Sequence, residues 1–138
     1  MEHDSHPAEF AFRLDAHSGV PVYRQLIDQV LAAVATGTLS PGNQLPTVRG
    51  VAVDLAINPN TVSRAYREME IRGILDTQQG TGTFVAERLL DISAGGDVER
   101  RRQLNQLVTE FVARAGAGGF TVQELIEALH DLSSEVPR

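Results

Sequence analysis

Residues 45–85 contain two short helical patterns separated by a tight turn, and then two short strand-like runs separated by glycines. The first pattern places four apolar residues at the i, i+3, i+4, i+7 spacing of one helix face: Val48, Val51, Ala52 and Leu55. The second pattern repeats this spacing: Val62, Ala65, Tyr66 and Met69. With both stripes buried together, this order predicts a helix-turn-helix followed by a β-hairpin.

The turn and the second helix carry polar residues suited to nucleic acid. Asn58 can cap the second helix, and Pro59 suits the first helical position. Burial of the apolar stripe leaves five polar residues facing outward: Asn60, Thr61, Ser63, Arg64 and Arg67. A short, donor-rich helix face of this kind enters the major groove of DNA. The hairpin, with strands at Leu75–Thr77 and Thr83–Val85, is then the wing of a winged helix-turn-helix.

Five motifs occur in a fixed order over residues 21–85: PVYRQL at 21–26, GTLSPG at 37–42, LPTVR at 45–49, NPNTVSRAY at 58–66 and GTGTFV at 80–85. On these motifs the chain resembles the GntR family of bacterial transcription regulators and, within it, the small YtrA-like subfamily. The resemblance covers roughly half of the chain. It implies a winged helix-turn-helix that binds DNA.

The resemblance also implies roles for individual residues. Arg49 in the first helix of the motif is expected to contact DNA, and so are Ser63 and Arg64 in the second. Asn58 is either a further contact or only the helix cap. The glycines at the hairpin tip permit a tight turn and a close approach to a groove. The full predicted DNA-binding set is Arg49, Asn58, Asn60, Thr61, Ser63, Arg64, Arg67, Gly80, Thr81 and Gly82.

Three positions depart from the family pattern. Ala56 occupies the turn where glycine is usual, and a left-handed alanine there costs about 1 kcal/mol. Gly50 lies within a predicted helix, which costs roughly 1 kcal/mol relative to alanine. The wing tip carries Thr81, and Gln78 and Gln79 precede the tip, where a basic residue is common. We therefore expect hydrogen bonding by the wing instead of strong electrostatic contact.

The rest of the chain suggests three regions. Residues 1–9 are predicted to be a disordered tail, residues 10–86 the winged helix-turn-helix and residues 87–138 a helical dimerisation region. The fold class is mainly α with a small β-wing. Alternating apolar residues predict a short strand over residues 10–14, and Pro21 opens a helix that runs to about Thr36. Residues 91–97 are predicted to form a hinge, and the glycines at 116–119 to break the helix that follows it.

Two helices are predicted after that hinge, the second opened by a capping box at Thr121–Glu124. Their apolar stripes exceed what this short region can cover by itself. The sequence therefore predicts a homodimer through these helices, because soluble proteins rarely leave large apolar patches exposed. The predicted dimerisation residues are Leu104, Leu107, Val108, Phe111, Val112, Leu125, Ile126 and Leu129.

Composition excludes several other classes of protein. No cysteine is present, so neither disulfides nor thiolate metal sites are available. The four histidines form no recognised metal motif, and we expect no metal, cofactor or catalytic site. No apolar run approaches the length of a membrane span or a signal-peptide core, which favours a cytoplasmic protein without membrane contact. The net charge is −6, but residues 21–85 carry five arginines and five carboxylates, so non-specific DNA binding should be weak.

The leading functional hypothesis is a dimeric transcription regulator, expected to be a repressor, that binds a pseudo-palindromic DNA operator. One alternative is the N-terminal piece of a longer GntR-type regulator with an aminotransferase-like domain. The other is a protein-interaction module that does not bind DNA, which the polar face of the second helix disfavours. A small-molecule effector of unknown identity is a further possible partner, although the C-terminal helices leave little room for its pocket.

Overall fold

The computed structural model describes residues 10–87 and 96–134, which divide into two units between residues 89 and 90. The first unit contains three helices and a hairpin: α1 (Val22–Thr36), α2 (Val48–Leu55), α3 (Pro59–Ile71), β1 (Leu75–Gln78) and β2 (Gly82–Val85). The second contains α4 (Gly96–Ala117) and α5 (Val122–Ser134). The predicted fold class, mainly α with a β-wing and a helical extension, is confirmed. The predicted disordered tail, residues 1–9, lies outside the described residues.

The core of the first unit lies where α1, α2 and α3 meet the start of the hairpin. Each helix contributes the apolar stripe expected from its spacing, and the loops and β-strands add further side chains. The largest fully buried members are Leu26, Val30, Leu39, Val62, Met69, Leu75 and Val85. Gly37 ends α1 in a left-handed conformation with φ 87°, and its amide donates to the Val34 carbonyl. A glycine adopts this conformation without steric penalty.

The predicted strand over residues 10–14 is wrong, because this described segment pairs with no strand. Two glutamine side chains of α1 pair with its backbone instead. The Gln29 amide accepts from the Arg13 amide at 2.8 Å and donates to the Arg13 carbonyl. Gln25 makes the same pair of bonds with Asp15, at 2.9 and 3.1 Å. The alternating pattern is nonetheless meaningful, since it buries Phe12 in the core.

The wing is an antiparallel pair in which Leu75 lies opposite Val85 and Gln78 opposite Gly82. Each β-strand is one residue longer toward the tip than predicted. The segment before α2 also pairs with β2, through an antiparallel bridge between Gln44 and Phe84. The Leu45 amide donates to the Thr83 carbonyl, and the Val85 amide donates to the Asn43 carbonyl, both at 2.8 Å. The wing is therefore joined to the helix-turn-helix twice: by the chain that follows α3, and by hydrogen bonds to the segment that precedes α2.

The second unit is a pair of helices. The predicted capping box opens α5: the Glu124 carboxylate accepts from the Thr121 amide at 2.8 Å, and the Thr121 hydroxyl accepts from the Glu124 amide. Residues 91–95 of the predicted hinge lie outside the described residues. Its last residue, Asp97, lies instead in the first turn of α4, where a carboxylate favours the helix dipole. The glycine break is also shorter than predicted, because α4 continues to Ala117.

In the described part of the chain, none of the helices is long and apolar enough to cross a membrane.

Candidate nucleic-acid interface

The turn between α2 and α3 has the backbone that the sequence indicated. Ala56 ends α2 with φ 56° and ψ 47°, the left-handed conformation that glycine usually supplies. The Ile57 amide closes the turn by donating to the Ala52 carbonyl at 3.1 Å. The Asn58 side chain then caps α3, accepting from the Asn60 amide at 2.8 Å, and Pro59 begins the helix. This turn sets the direction of α3 relative to α2.

The first half of α3 presents a polar face on the side opposite the core. Asn60, Ser63 and Arg67 are exposed at i, i+3 and i+7, so they form one stripe along the helix. Thr61 is half-buried beside it. The opposite stripe is fully enclosed, since Val62, Ala65 and Met69 have no accessible surface. The predicted face of α3 is therefore available to a partner.

Arg64 is exposed as predicted, but it lies on the flank of α3 that faces α1. Its guanidinium carbon is 3.8 Å from the centroid of the Tyr23 ring. Tyr23 is half-buried on α1. The spacing of α1 gave no signal for this contact, because it depends on how α1 packs against α3.

Arg49 extends from the first turn of α2, where it is exposed. The Thr47 hydroxyl caps this helix by accepting from the Gly50 amide at 3.0 Å. Among the described residues, no carboxylate lies within ion-pair distance of Arg49, Arg64 or Arg67. These three cations are therefore free of internal neutralisation, although the whole segment has no net charge.

The wing tip contains the three predicted residues. Gln44, whose role the sequence did not reveal, contacts the tip from the segment before α2. The Thr81 amide donates to the Gln78 carbonyl at 2.9 Å, which closes the turn through Gly80. The Gln44 side-chain amide donates to the Thr81 carbonyl at 3.1 Å. A Cβ atom at Gly82 would overlap that same amide, so the glycine is needed for this contact as well as for its φ of 139°. Gln44 thus braces the tip from the segment before α2.

The described residues show no cluster of side chains suited to metal binding. Within ranges 10–87 and 96–134, no three histidine or carboxylate side chains lie close enough together to hold a metal ion. The pKa shifts of two side chains follow from burial and hydrogen bonding. Burial raises the pKa of the Tyr66 phenol, while a hydrogen bond from Arg102 lowers the pKa of the exposed Glu99 carboxyl.

Comparison with known proteins identifies the family. Residues 22–85 match the model described as bacterial regulatory proteins, gntR family. The HTH-type transcriptional repressor YtrA of Bacillus subtilis (strain 168) is 34% identical over 125 residues, which cover 90% of this chain and 93% of YtrA. The chain belongs to the GntR family. The predicted family and the YtrA-like subfamily are both confirmed.

Solved structures of GntR-family proteins share this fold. A GntR family transcriptional regulator from Listeria monocytogenes is 28% identical with a TM-score of 0.57, over 86% of this chain and 98% of that one. YtrA from Sulfolobus acidocaldarius, a GntR-family transcription factor, is 27% identical with a TM-score of 0.54, over 74% and 97%. This GntR-family chain is therefore a transcription regulator with a winged helix-turn-helix DNA-binding domain.

Proposed function

We propose that this GntR-family chain is a homodimeric repressor that places α3 of each protomer in the major groove of a pseudo-palindromic operator. The observation that carries the proposal is the exposed stripe of Asn60, Ser63 and Arg67 on a helix whose opposite face is completely buried. An asparagine side chain carries both a donor and an acceptor that can read a base edge in that groove, and an arginine side chain can donate to the flanking phosphates. A stripe kept exposed and free of internal ion pairs is consistent with a DNA partner.

The DNA-binding residues divide by their distance from the N-terminal end of α3. Asn60, Thr61, Ser63 and Arg64 lie in its first two turns, which suits contact with base edges. Arg67 lies further along, and Arg49 extends from α2, so both suit phosphate contact. Asn58 contributes as the cap of α3 through its bond to the Asn60 amide. The wing tip, residues 80–82, contributes a hydroxyl and backbone amides.

The C-terminal unit supplies the proposed dimer contact. No side chain of α4, all of which lies in the described part of the chain, is buried, although the helix carries an apolar stripe. Phe111 is 46% exposed and Leu107 63%, while Ile126 and Leu129 on α5 are about half exposed. A second copy would cover these faces, and two-fold pairing is the commonest symmetry of soluble oligomers. We assign residues 10–86 to DNA binding and 87–138 to pairing.

The sense of control follows from the relatives. YtrA of Bacillus subtilis is named a repressor, and the alignment with it includes the C-terminal unit. This supports a small regulator of the YtrA type over a piece of a longer, aminotransferase-linked regulator. We further propose that the protein acts in the cytoplasm, has no catalytic activity, and responds to an effector of unknown identity.

The test begins by selecting a preferred site from random duplexes long enough for two half-sites about one helical turn apart. Footprinting should show symmetric protection, with two protomers bound to each duplex. Arg49→Ala should weaken binding by about 1–3 kcal/mol. Arg72→Ala, at the far end of α3, is the matched control and should bind almost as tightly as wild type. Asymmetric protection by one protomer would contradict the dimer, and wild-type affinity of Arg49→Ala would contradict the assigned DNA contact of Arg49.

A further inference from the structure

The contact between Arg64 and Tyr23 joins the DNA-reading helix to a helix outside the helix-turn-helix. The Arg64 guanidinium lies over the Tyr23 ring at 3.8 Å, close enough for a cation–π interaction. Tyr23 is itself held in place, because it is half-buried and packs against the core cluster. The ring is therefore a fixed platform on which a flexible side chain rests.

We propose that Tyr23 is a specificity-determining positioning residue, which holds Arg64 in the conformation that reads a base pair. The inference rests on the proposed DNA contact of Arg64. A free arginine side chain loses rotamer entropy when it is fixed. Stacking on Tyr23 removes part of this freedom before DNA arrives, so less is lost on binding.

The stacked arginine keeps its capacity to recognise DNA. A guanidinium is planar, and its five N–H donors point outward in that plane, so a ring against its face leaves the donors available. Among the described residues, no acceptor forms a hydrogen bond with Arg64. Two of its donors can therefore form a bidentate pair with a guanine edge.

Arg67 provides the internal comparison. It lies one turn from Arg64 on the same helix and is also exposed, but no aromatic ring in the described part of the chain lies beneath it. A phosphate contact carries no direct sequence information, because every base pair presents the same phosphates. The two arginines are thus expected to differ in role: Arg64 discriminates among sequences, while Arg67 adds affinity for any sequence.

A positioning role and a purely structural role make different predictions for Tyr23. If the ring only filled space, its replacement would weaken binding to all duplexes equally. If it positions Arg64, its replacement should reduce discrimination at the base pair that Arg64 reads and leave the other positions unchanged. The effect should also vanish when Arg64 is absent.

The experiment measures affinity of the full chain for the selected duplex and for its single base-pair variants. Four proteins are compared with wild type: Tyr23→Leu, Tyr23→Phe, Arg64→Ala and the double variant Tyr23→Leu/Arg64→Ala. We expect Tyr23→Leu to lower discrimination about three- to tenfold at the pair where Arg64→Ala has its effect. Tyr23→Phe should retain discrimination because it keeps the ring. The double variant should match Arg64→Ala alone.

The outcomes separate this inference from the proposed function. If Arg64→Ala keeps wild-type discrimination, the proposed contact of Arg64 is wrong. If Arg64→Ala loses discrimination but Tyr23→Leu keeps it, or weakens all duplexes equally, the contact stands and the role of Tyr23 is overturned. A measurement on the wild type alone covers the case in which Tyr23→Leu fails to fold. Without DNA, NMR relaxation should show the Arg64 Nε–H group more restricted than that of Arg67, and equal mobility would overturn the inference.

Discussion

The Tyr66 hydroxyl donates a 2.6 Å hydrogen bond to the Pro46 carbonyl, which connects the middle of α3 to the segment just before α2. Tyr66 is 4% exposed, and its ring lies 6.4 Å from that of Phe12. One side chain thus links α3, the segment that precedes α2 and the N-terminal segment. The direction of α3 relative to α2 depends on this contact as well as on the turn at Ala56.

Removing this hydroxyl should change stability and its response to alkali. Tyr66→Phe loses the bond to Pro46, so we expect the free energy of unfolding at neutral pH to fall by about 1 kcal/mol. Burial raises the pKa of Tyr66 above its value in the unfolded chain. The phenol's contribution is therefore present below about pH 10, the ordinary tyrosine value, and falls at higher pH by up to about 1.4 kcal/mol per pH unit.

Urea unfolding, measured at neutral pH and at pH values above about 10, tests both effects. Wild type should lose stability above about pH 10, and Tyr66→Phe should lose less over the same interval. Tyr23→Phe removes a different phenol hydroxyl and leaves the bond from Tyr66 to Pro46 in place, so its free energy of unfolding at neutral pH should stay near that of wild type. Identical alkaline slopes for wild type and Tyr66→Phe would contradict this assignment.

The left-handed alanine in the turn predicts a stabilising substitution. Ala56→Gly removes the Cβ strain at φ 56°. Part of this gain is offset because glycine has more freedom in the unfolded chain, leaving about 0.5–1 kcal/mol of added stability. Ala35→Gly, at an exposed position within α1, is the opposite control and should lose about 1 kcal/mol. Thermal denaturation should therefore move the two midpoints in opposite directions.

The wing brace predicts different responses from two neighbouring glycines. Gly80 and Gly82 both have positive φ, so alanine at either position should cost about 1–3 kcal/mol of local strain. Only at Gly82 does the new methyl also overlap the Gln44 amide, whereas the space around Gly80 is open. Gly82→Ala should therefore weaken operator binding more than Gly80→Ala. Adding Gln44→Ala should recover part of the loss for Gly82→Ala and none for Gly80→Ala, and equal recovery would argue against the brace.

The apolar face of α4 predicts how the oligomer will respond to charge. Phe111→Glu places a carboxylate in the proposed dimer contact, where it would lose its hydration. Light scattering should show monomers, and operator affinity should fall by orders of magnitude because the second half-site is no longer held nearby. Ala113→Glu adds the same charge on the opposite side of the helix and should leave the dimer intact. A Phe111→Glu protein that remains dimeric would place the contact elsewhere.

The sequence by itself determined the helices, the wing and their order along the chain. It did not determine every boundary, since the wing strands and α4 extend beyond the predicted limits and residues 10–14 form no strand. Helical spacing, the Asn58 cap, the left-handed turn at Ala56 and the capping box of α5 all act within a few residues, so they can be read along the chain. The family motifs lie in these same elements. They therefore gave both the winged helix-turn-helix and the polar face of α3.

Only the tertiary structure decided which distant side chains meet across the fold. Gln25 and Gln29 pair with the N-terminal backbone, Gln44 reaches Thr81 across 37 residues of chain, and Tyr23 lies beneath Arg64. None of these contacts leaves a periodic trace, because each depends on the packing of one element against another. A glutamine or tyrosine with suitable spacing is as compatible with solvent or core as with such a role. The distinction comes from three dimensions, where the fold fixes the distance between the groups.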